Sequence, residues 1–345
     1  MSSLYRRWIL KWETALSRRD PHRRVTPFEW GWEWLRATPV NGLPAAIADR
    51  DGMAVLRAWN DRVVAASERF FAYEAVRDYC LRGDRLLFTS PVPSRHPENE
   101  QVTARWYPAP GKRAVVVLPQ WNADGAGHLG LCQLFQRFGI ASLRLSLPYH
   151  DVRMPAELKR AEYTVDPNLG RTIAAARQAV IDVRACVDWL ESRGYSSLGI
   201  VGTSLGSCYA LLTTAHEPRL RVNVFNHVSP WFGDVVWTGI STRHVRQGLE
   251  AAALDRENVR EAWRVISPFS YLDRLVGSNK KHLLVYARHD PSFLPELSRI
   301  ALERFRELGV DHTVRVLPCG HYTTGQFPFN YLDAFYMTHF LRRWL

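Results

Sequence analysis

The 345-residue sequence lacks the features that mark membrane-spanning, disulfide-rich or zinc-binding proteins. No apolar run approaches the roughly 20 residues that a spanning helix needs. Charged residues interrupt the first 20 positions every few residues, unlike a signal peptide, so we expect a cytoplasmic protein. The five cysteines are odd in number and no two have CxxC spacing. This pattern indicates buried thiols and argues against a disulfide framework or a zinc site.

Acidic residues are also scarce relative to basic ones, and the net charge is +11. Residues 1–24 contribute seven Arg or Lys residues against Glu13 and Asp20, a balance of +5. The other basic residues are scattered and form no recognised nucleic-acid motif, so we expect no nucleic-acid partner. The charge leaves the oligomeric state undetermined.

The N-terminal segment is rich in tryptophan and has a helical pattern. Leu4, Trp8, Trp12 and Leu16 recur at helical spacing. Packing of this stripe against the rest of the protein is the favoured interpretation. Peripheral membrane contact through residues 1–24 and a protein-partner surface are the alternatives. A second helix is predicted over residues 54–81, so we expect residues 1–83 to form a helical N-terminal extension.

The pattern changes after residue 83, and residues 84–345 are expected to form one catalytic domain of the α/β class. Short apolar runs alternate with helical stretches, which predicts a mostly parallel central sheet flanked by helices. The predicted strands are 86–89, 102–107, 113–119, 141–147, 198–202, 222–228, 283–287 and 313–317. The predicted helices are 128–138, 171–193, 205–215, 294–308 and 328–344.

Residues 229–280 interrupt this alternation, because they are too many for an ordinary connection between two strands. They contain several tryptophans and a predicted helix over residues 244–265. We expect them to form a helical cap above the carboxyl ends of the strands, where sites form in open α/β sheets.

The most informative motif is GTSLG at residues 202–206, a GxSxG sequence between a predicted strand and a predicted helix. A direct strand-to-helix turn places the central serine at an exposed, strained tip, and the glycines avoid clashes there. Ser204 is therefore the candidate nucleophile. A serine hydroxyl also needs a base, and the base needs an orienting group.

Two downstream residues supply these groups in the order serine, acid, histidine. Asp290 follows a predicted strand, and His321 follows the last predicted strand. Competitors for the acid are Asp234, in the proposed cap, and Asp311, at the wrong end of a strand. Competitors for the base are His289, beside the acid, and His312, again at the wrong strand end.

With these motifs the chain resembles the α/β-hydrolase superfamily, most closely its serine esterases and lipases, over about residues 84–345. The resemblance implies a catalytic triad of Ser204, Asp290 and His321. It also implies an oxyanion hole with one backbone donor at Leu205 and a second in the loop after strand 113–119. Trp121 is the first choice for that second donor and Gln120 the second.

Substrate-binding residues are predicted from their positions beside these groups. Tyr149 and His150 follow the strand 141–147, Trp231 lies in the cap, and Tyr322 follows His321. A GxGxxG pattern at 125–130 is too far from its preceding strand for nucleotide binding. We therefore expect no organic cofactor and no metal.

The expected function is that of a carboxylesterase that cleaves esters with apolar acyl or alcohol groups through an acyl-enzyme at Ser204. Thioesterase, amidase, peptidase and lipid hydrolase activities use the same triad and remain alternatives. An alternative of another class is a non-catalytic binding module on a hydrolase scaffold.

Overall fold

The structure is a computed structural model that describes residues 3–20, 22–45, 47 and 51–345. Parts of the predicted N-terminal extension, residues 1, 2, 21, 46 and 48–50, lie outside the described residues. No helix among the described residues is long and apolar enough to cross a membrane.

In the described part of the chain, nine strands form one sheet with the order β1-β2-β3-β5-β4-β6-β7-β8-β9. The strands are β1 (Cys80–Arg82), β2 (Arg85–Thr89), β3 (Gln101–Tyr107), β4 (Arg113–Leu118), β5 (Ala141–Leu145), β6 (Ser197–Thr203), β7 (Leu220–Asn226), β8 (Lys281–Ala287) and β9 (His312–Leu317). Strands β1 to β3 and the β3–β5 pair are antiparallel, whereas the pairs from β5 to β9 are parallel. The predicted mostly parallel sheet is confirmed.

Thirteen α-helices accompany the sheet within the described residues. They are α1 (Ser3–Ser17), α2 (Trp32–Arg36), α3 (Gly52–Ala65), α4 (Ser67–Phe70), α5 (Pro97–Glu100), α6 (Leu129–Arg137), α7 (Leu169–Ser192), α8 (Leu205–His216), α9 (Phe232–Thr238), α10 (Arg243–Ala251), α11 (Arg256–Ala262), α12 (Pro295–Glu307) and α13 (Phe329–Trp344).

Both faces of the sheet are covered, which explains why its central strands are almost entirely apolar. Val116 and Ile200 belong to the core on one face, together with α7 and α8. Val115 and Val201 belong to the core on the other face, together with α1, α6 and α13. Successive strand residues therefore alternate between two buried layers.

Two predicted helices are corrected by the structure. The helix predicted over residues 54–81 ends within α4, and its last residues form β1 at the edge of the sheet. The helix predicted over 244–265 divides into α10 and α11, because Asp255 caps α11 by accepting a hydrogen bond from the N–H of Asn258.

The predicted boundary at residue 84 also shifts, since the sheet already begins at Cys80. Residues before it pack closely on the sheet: Trp59 and Phe70 are fully buried in the same core as Val116. Helix α1 buries Ile9 and Leu16, whereas Leu4 and Trp8 are exposed. The predicted packing of this helix thus holds for only part of its aromatic stripe.

The predicted cap, residues 229–280, contains α9, α10 and α11 and ends with a 3₁₀ helix over Pro268–Leu275. Its Trp263 is fully buried and shares a core with Leu205 at the start of α8. The segment predicted as a cap is therefore packed on the sheet side that carries the GxSxG turn.

Candidate active site

Ser204 lies at the turn between β6 and α8 with φ 57° and ψ −120°, a strained conformation for a residue other than glycine. Its backbone N–H donates to the carbonyl of Asn226, 2.8 Å away. Its own carbonyl accepts hydrogen bonds from the hydroxyl and the N–H of Ser207. These bonds hold the strained turn, and the side chain projects into a pocket.

The two flanking glycines of the motif are needed because the turn is crowded. A Cβ atom on Gly202 would lie 2.2 Å from the carbonyl oxygen of Gly206. A Cβ atom on Gly206 would lie 2.4 Å from the carbonyl oxygen of Leu118. Both contacts are with backbone, which cannot move aside without distorting α8 and β4.

The three side chains predicted for the triad meet in one hydrogen-bonded line. The Ser204 hydroxyl lies 2.9 Å from Nε2 of His321, and Nδ1 of His321 lies 2.9 Å from Oδ2 of Asp290. Asp290 follows β8 and His321 follows β9, so adjacent parallel strands deliver both groups to the carboxyl edge of the sheet. This geometry suits proton transfer from the hydroxyl to the imidazole.

The competing acids and bases are engaged elsewhere. Asp234 pairs with Arg256 and Arg260 in the cap, and Asp311 pairs with Lys281 at the other end of the sheet. His289 packs edge-on against Tyr5, and Nδ1 of His312 lies 2.7 Å from the carbonyl of Val310.

A second histidine, which the sequence analysis did not single out, also contacts the acid. His227 follows β7 with φ 62°, and its Nδ1 lies 2.9 Å from the same Oδ2 of Asp290. The other carboxylate oxygen accepts hydrogen bonds from the N–H groups of Ser292 and Phe293, each 2.7 Å away. Four donors thus fix the carboxylate. The sequence carries no signal for this residue, because the predicted strand 222–228 includes position 227.

Electrostatics within this cluster favour an ionised Asp290. Burial raises the pKa of Asp290, but the charge on His321 and the hydrogen bonds from His227 and His321 outweigh it and hold the pKa well below its usual value. Burial lowers the pKa of His321, but the charge of Asp290 and its hydrogen bond raise it above that of a free histidine. Burial and the charge on His321 lower the pKa of His227, which is therefore neutral near pH 7.

The same three groups are also the one set, within the described residues, whose His, Asp, Glu or Cys ligand atoms lie close enough to hold a metal ion. Both Nδ1 atoms, however, face an acceptor oxygen at hydrogen-bond distance, which requires a proton on each. A protonated ring nitrogen cannot ligate a metal, so the donor set fits a hydrogen-bonded cluster better than a metal centre.

The loop after β4 provides the second side of the site. Leu205 begins α8, so its N–H has no acceptor within that helix, and Leu205 and Trp121 both line the pocket that contains Ser204. The next N–H, of Asn122, donates to Nε2 of His150 over 3.0 Å and is unavailable to a ligand. Gln120 lies outside the set of pocket-lining residues. Leu205 and Trp121 therefore remain the predicted backbone donors.

The pocket beside Ser204 has a cavity volume of about 50 Å³. Its walls are mostly apolar and come from the loop after β4, from α8 and from the cap. The lining residues are Trp121, Val165, Ser204, Leu205, Cys208, Ser229, Trp231, Phe232, Val235, Val236, Ser241, Thr242 and Phe293. This volume lies below the roughly 300–1,000 Å³ range of small-molecule sites.

The structure places two predicted substrate-binding residues outside this pocket. Tyr149 is buried against His96 and Tyr163. His150 is buried behind the loop after β4, where Nδ1 faces the carbonyl of Pro148 at 2.9 Å and Nε2 accepts from Asn122. Burial lowers the pKa of His150 to about 4, which keeps it neutral in this bridging role. This placement replaces the predicted substrate contact: His150 supports the loop that carries Trp121.

The other two predicted residues lie closer to the chemistry. Trp231 lines the pocket and packs against Phe269. The ring of Tyr322 packs edge-on against His321, and its hydroxyl accepts a hydrogen bond from Arg23 over 3.1 Å, outside the pocket. Trp231 is therefore the predicted substrate-binding residue that the structure brings into the pocket.

Solved structures of similar fold include several esterases. Acetyl xylan esterase 1 from Thermoanaerobacterium sp. JW/SL YS485 matches 92% of this chain and 99% of its own length, with a TM-score of 0.59 and 14% identity. Esterase Pf2001 of Pyrococcus furiosus matches 79% of this chain and 92% of its own length, with a TM-score of 0.50 and 17% identity.

The acylaminoacyl peptidase of Pyrococcus horikoshii matches 78% of this chain at 12% identity and a TM-score of 0.57, and the match spans 42% of that peptidase. No protein-family model matches the sequence. At these identities the comparisons establish the architecture: the chain has the α/β-hydrolase fold.

Proposed function

We propose that this chain of α/β-hydrolase fold is a serine hydrolase, a carboxylesterase that cleaves esters with apolar acyl or alcohol groups. The observation that carries the proposal is the line from the Ser204 hydroxyl through His321 to Asp290, with 2.9 Å at each step. The strained turn at Ser204 adds support, because such strain is maintained where it serves a site.

In the proposed reaction the Ser204 hydroxyl oxygen attacks the ester carbonyl carbon while Nε2 of His321 takes its proton. Asp290 holds the imidazole in the tautomer that leaves Nε2 free to accept, and it stabilises the imidazolium that forms. The negative charge that develops on the carbonyl oxygen is held by the N–H groups of Leu205 and Trp121.

His321 then donates its proton to the leaving alcohol oxygen as the bond to the acyl carbon breaks. A water molecule repeats the sequence: His321 removes its proton, the water oxygen attacks the acyl carbon, and Ser204 leaves with that proton restored. The groups that take part in these steps are the three side chains of the triad, the two backbone N–H groups and a water molecule.

The pocket walls support the proposed substrate class. Most of the lining residues next to Ser204 are apolar, and Trp231, Phe232 and Val236 of the cap form one side. Such a surface stabilises an apolar acyl or alcohol group by removing it from water. Thioesters, amides, peptide bonds and lipid esters are alternative substrates for the same triad.

The first test is covalent labelling with a fluorophosphonate probe, which separates an enzyme from a binding module on the same fold. We expect stoichiometric labelling of Ser204 and none in Ser204→Ala. Ser229→Ala is the matched control, because it removes another serine of the same pocket and should still be labelled. An unlabelled wild-type protein would support the binding module.

The second test identifies the bond that is cleaved. Hydrolysis of p-nitrophenyl esters from acetate to palmitate should show a maximum kcat/KM at the chain length that the pocket accommodates. Matched thioesters and anilides with the best acyl chain should react more slowly. A labelled enzyme that prefers the anilide would reassign the protein as an amidase or peptidase.

A further inference from the structure

Helix α1 carries one carboxylate on its inner face, although its outer face is strongly basic. Glu13 is fully buried. A buried carboxylate is unfavourable unless several donors compensate for its lost hydration. The donors that surround Glu13 therefore indicate what this residue does.

Those donors belong to the segment that carries His321, residues 318–323, here called the histidine loop. The N–H of Tyr322 donates to Oε2 of Glu13 over 3.0 Å, and the N–H of Thr323 donates to Oε1 over 2.7 Å. These two N–H groups directly follow His321 in the chain. The carboxylate of Glu13 thus fixes the backbone that positions the imidazole.

The residue before His321 is adapted to the same contact. A Cβ atom on Gly320 would lie 2.5 Å from Cδ and 2.6 Å from Cγ of Glu13, closer than real Cβ atoms approach. Glycine at this position therefore makes room for the Glu13 side chain. The N–H of Gly320 donates to the hydroxyl of Thr323, which closes the loop on itself.

Helix α1 holds the histidine loop at a second point. The hydroxyl of Tyr5 donates to the carbonyl of Pro318, at the start of the loop. Tyr5 and Glu13 are two helical turns apart on α1, so one rigid helix contacts the loop on both sides of His321.

Charge couples Glu13 to His321 as well. Burial raises the pKa of Glu13, and the hydrogen bonds from the loop oppose that rise. The negative charge of Glu13 adds to that of Asp290 in raising the pKa of His321. The other titratable groups that face this region are His227 beside His321, Cys319 and Tyr322 in the loop, and Arg23 and Arg160 around Tyr322.

We infer that Glu13 is a positioning residue for His321: it holds the histidine loop, and with it the imidazole, in place. This inference rests on the proposed function, since it concerns the same imidazole. It also gives the N-terminal helix a role in the chemistry.

Glu13→Gln tests the inference. His321 must be neutral to accept the serine proton, so kcat/KM falls as pH drops through its pKa. Removing the Glu13 charge should lower that pKa and move this acid limb to lower pH. Loss of the fixed loop geometry should reduce kcat about 10- to 100-fold, while KM for an uncharged ester stays near the wild-type value.

Glu13→Asp separates position from charge and serves as the second variant if Glu13→Gln does not fold. Its carboxylate keeps the charge but is one methylene too short to accept from both N–H groups. We expect the acid limb to stay at the wild-type pH while kcat falls.

The matched control is Glu217→Gln, at a buried carboxylate that pairs with Arg219 and Arg184 just beyond the far end of α8. This variant should lose thermal stability without moving the acid limb, which distinguishes positioning from a general effect on folding.

The outcomes for the two proposals differ. A folded wild-type protein that neither hydrolyses esters nor takes the phosphonate label would refute the proposed function. An active wild-type enzyme whose Glu13 variants keep its kcat and its acid limb would overturn the positioning role alone.

Discussion

The rings of His227 and His321 lie with their centroids 4.4 Å apart, and both donate from Nδ1 to the same oxygen of Asp290. One carboxylate oxygen is thus shared by the imidazole that faces Ser204 and by a second imidazole that does not. The hydrogen bond from His227 makes this oxygen less basic, so the two histidines compete for its negative charge.

Replacing His227 by phenylalanine should make Asp290 a stronger acceptor for His321. The imidazolium form of His321 is then more stable, its pKa rises, and the acid limb of kcat/KM should move to higher pH. The loss of one hydrogen bond to a charged group, about 1.5–3 kcal/mol, should also reduce kcat about 10- to 100-fold through poorer alignment. Rate profiles between pH 5 and 9 measure both effects.

His227→Gln keeps an N–H donor, so its acid limb should lie between those of His227→Phe and the wild-type enzyme. The control is His216→Phe, a buried histidine at the last residue of α8 whose Nδ1 faces the carbonyl of Leu212. Identical acid limbs in the His227 variants and in the wild-type enzyme would contradict the competition between the two histidines.

The strand pattern of the sequence predicted the triad because parallel strands place their carboxyl ends on one edge of the sheet. Apolar runs located β6, β8 and β9 to within one or two residues. Ser204 follows its strand directly, and Asp290 and His321 lie in the turns after theirs. The positions of these three residues depend on local patterns and chain order alone.

His227 escaped prediction because the strand was expected to continue to Val228. The strand ends at Asn226, and His227 turns away with a positive φ, its N–H donating to the carbonyl of Val285. No property of the local sequence distinguishes a final strand residue from the first residue of the turn.

Glu13 escaped prediction for a different reason. Hydrophobic spacing predicted that Trp8 would face the protein, whereas α1 is rotated so that Ile9 and Glu13 are buried and Trp8 is exposed. Glu13 is stable in this buried position because it accepts hydrogen bonds from two N–H groups more than 300 residues away in the chain. Hydrophobic periodicity within α1 cannot reveal such partners.

The cap wall predicts how substrate size is selected. Trp231 lines the pocket, with the guanidinium of Arg260 4.4 Å from its ring centroid. Trp231→Ala should enlarge the pocket and shift the preferred p-nitrophenyl ester to a longer acyl chain, with a lower kcat/KM for the original optimum because apolar contact is lost. Trp344→Ala, at the end of α13, removes a distant tryptophan and should leave the chain-length profile unchanged. An unshifted chain-length profile in Trp231→Ala would show that Trp231 does not contribute to recognition of the acyl chain.

The last prediction concerns the outer face of α1, which we expect to contact an anionic membrane surface. Leu4 is 66% exposed and Trp8 52% exposed, and the exposed residues Arg6, Arg7 and Lys11 lie around them. Apolar side chains among cations suit the interface of a bilayer that contains acidic lipids.

Co-sedimentation with vesicles of phosphatidylcholine and phosphatidylserine, compared with pure phosphatidylcholine, measures this contact. We expect binding to the acidic vesicles that weakens with added salt. Each basic residue near an anionic surface contributes about 1 kcal/mol, so the double variant Arg6→Gln and Arg7→Gln should partition about 30-fold more weakly. Trp8→Ala should also bind more weakly, whereas Trp344→Ala, which removes an exposed tryptophan at the other end of the chain, should bind like the wild-type protein. Equal sedimentation of the two tryptophan variants would show that α1 does not face the lipid, and its outer residues would then serve solubility alone.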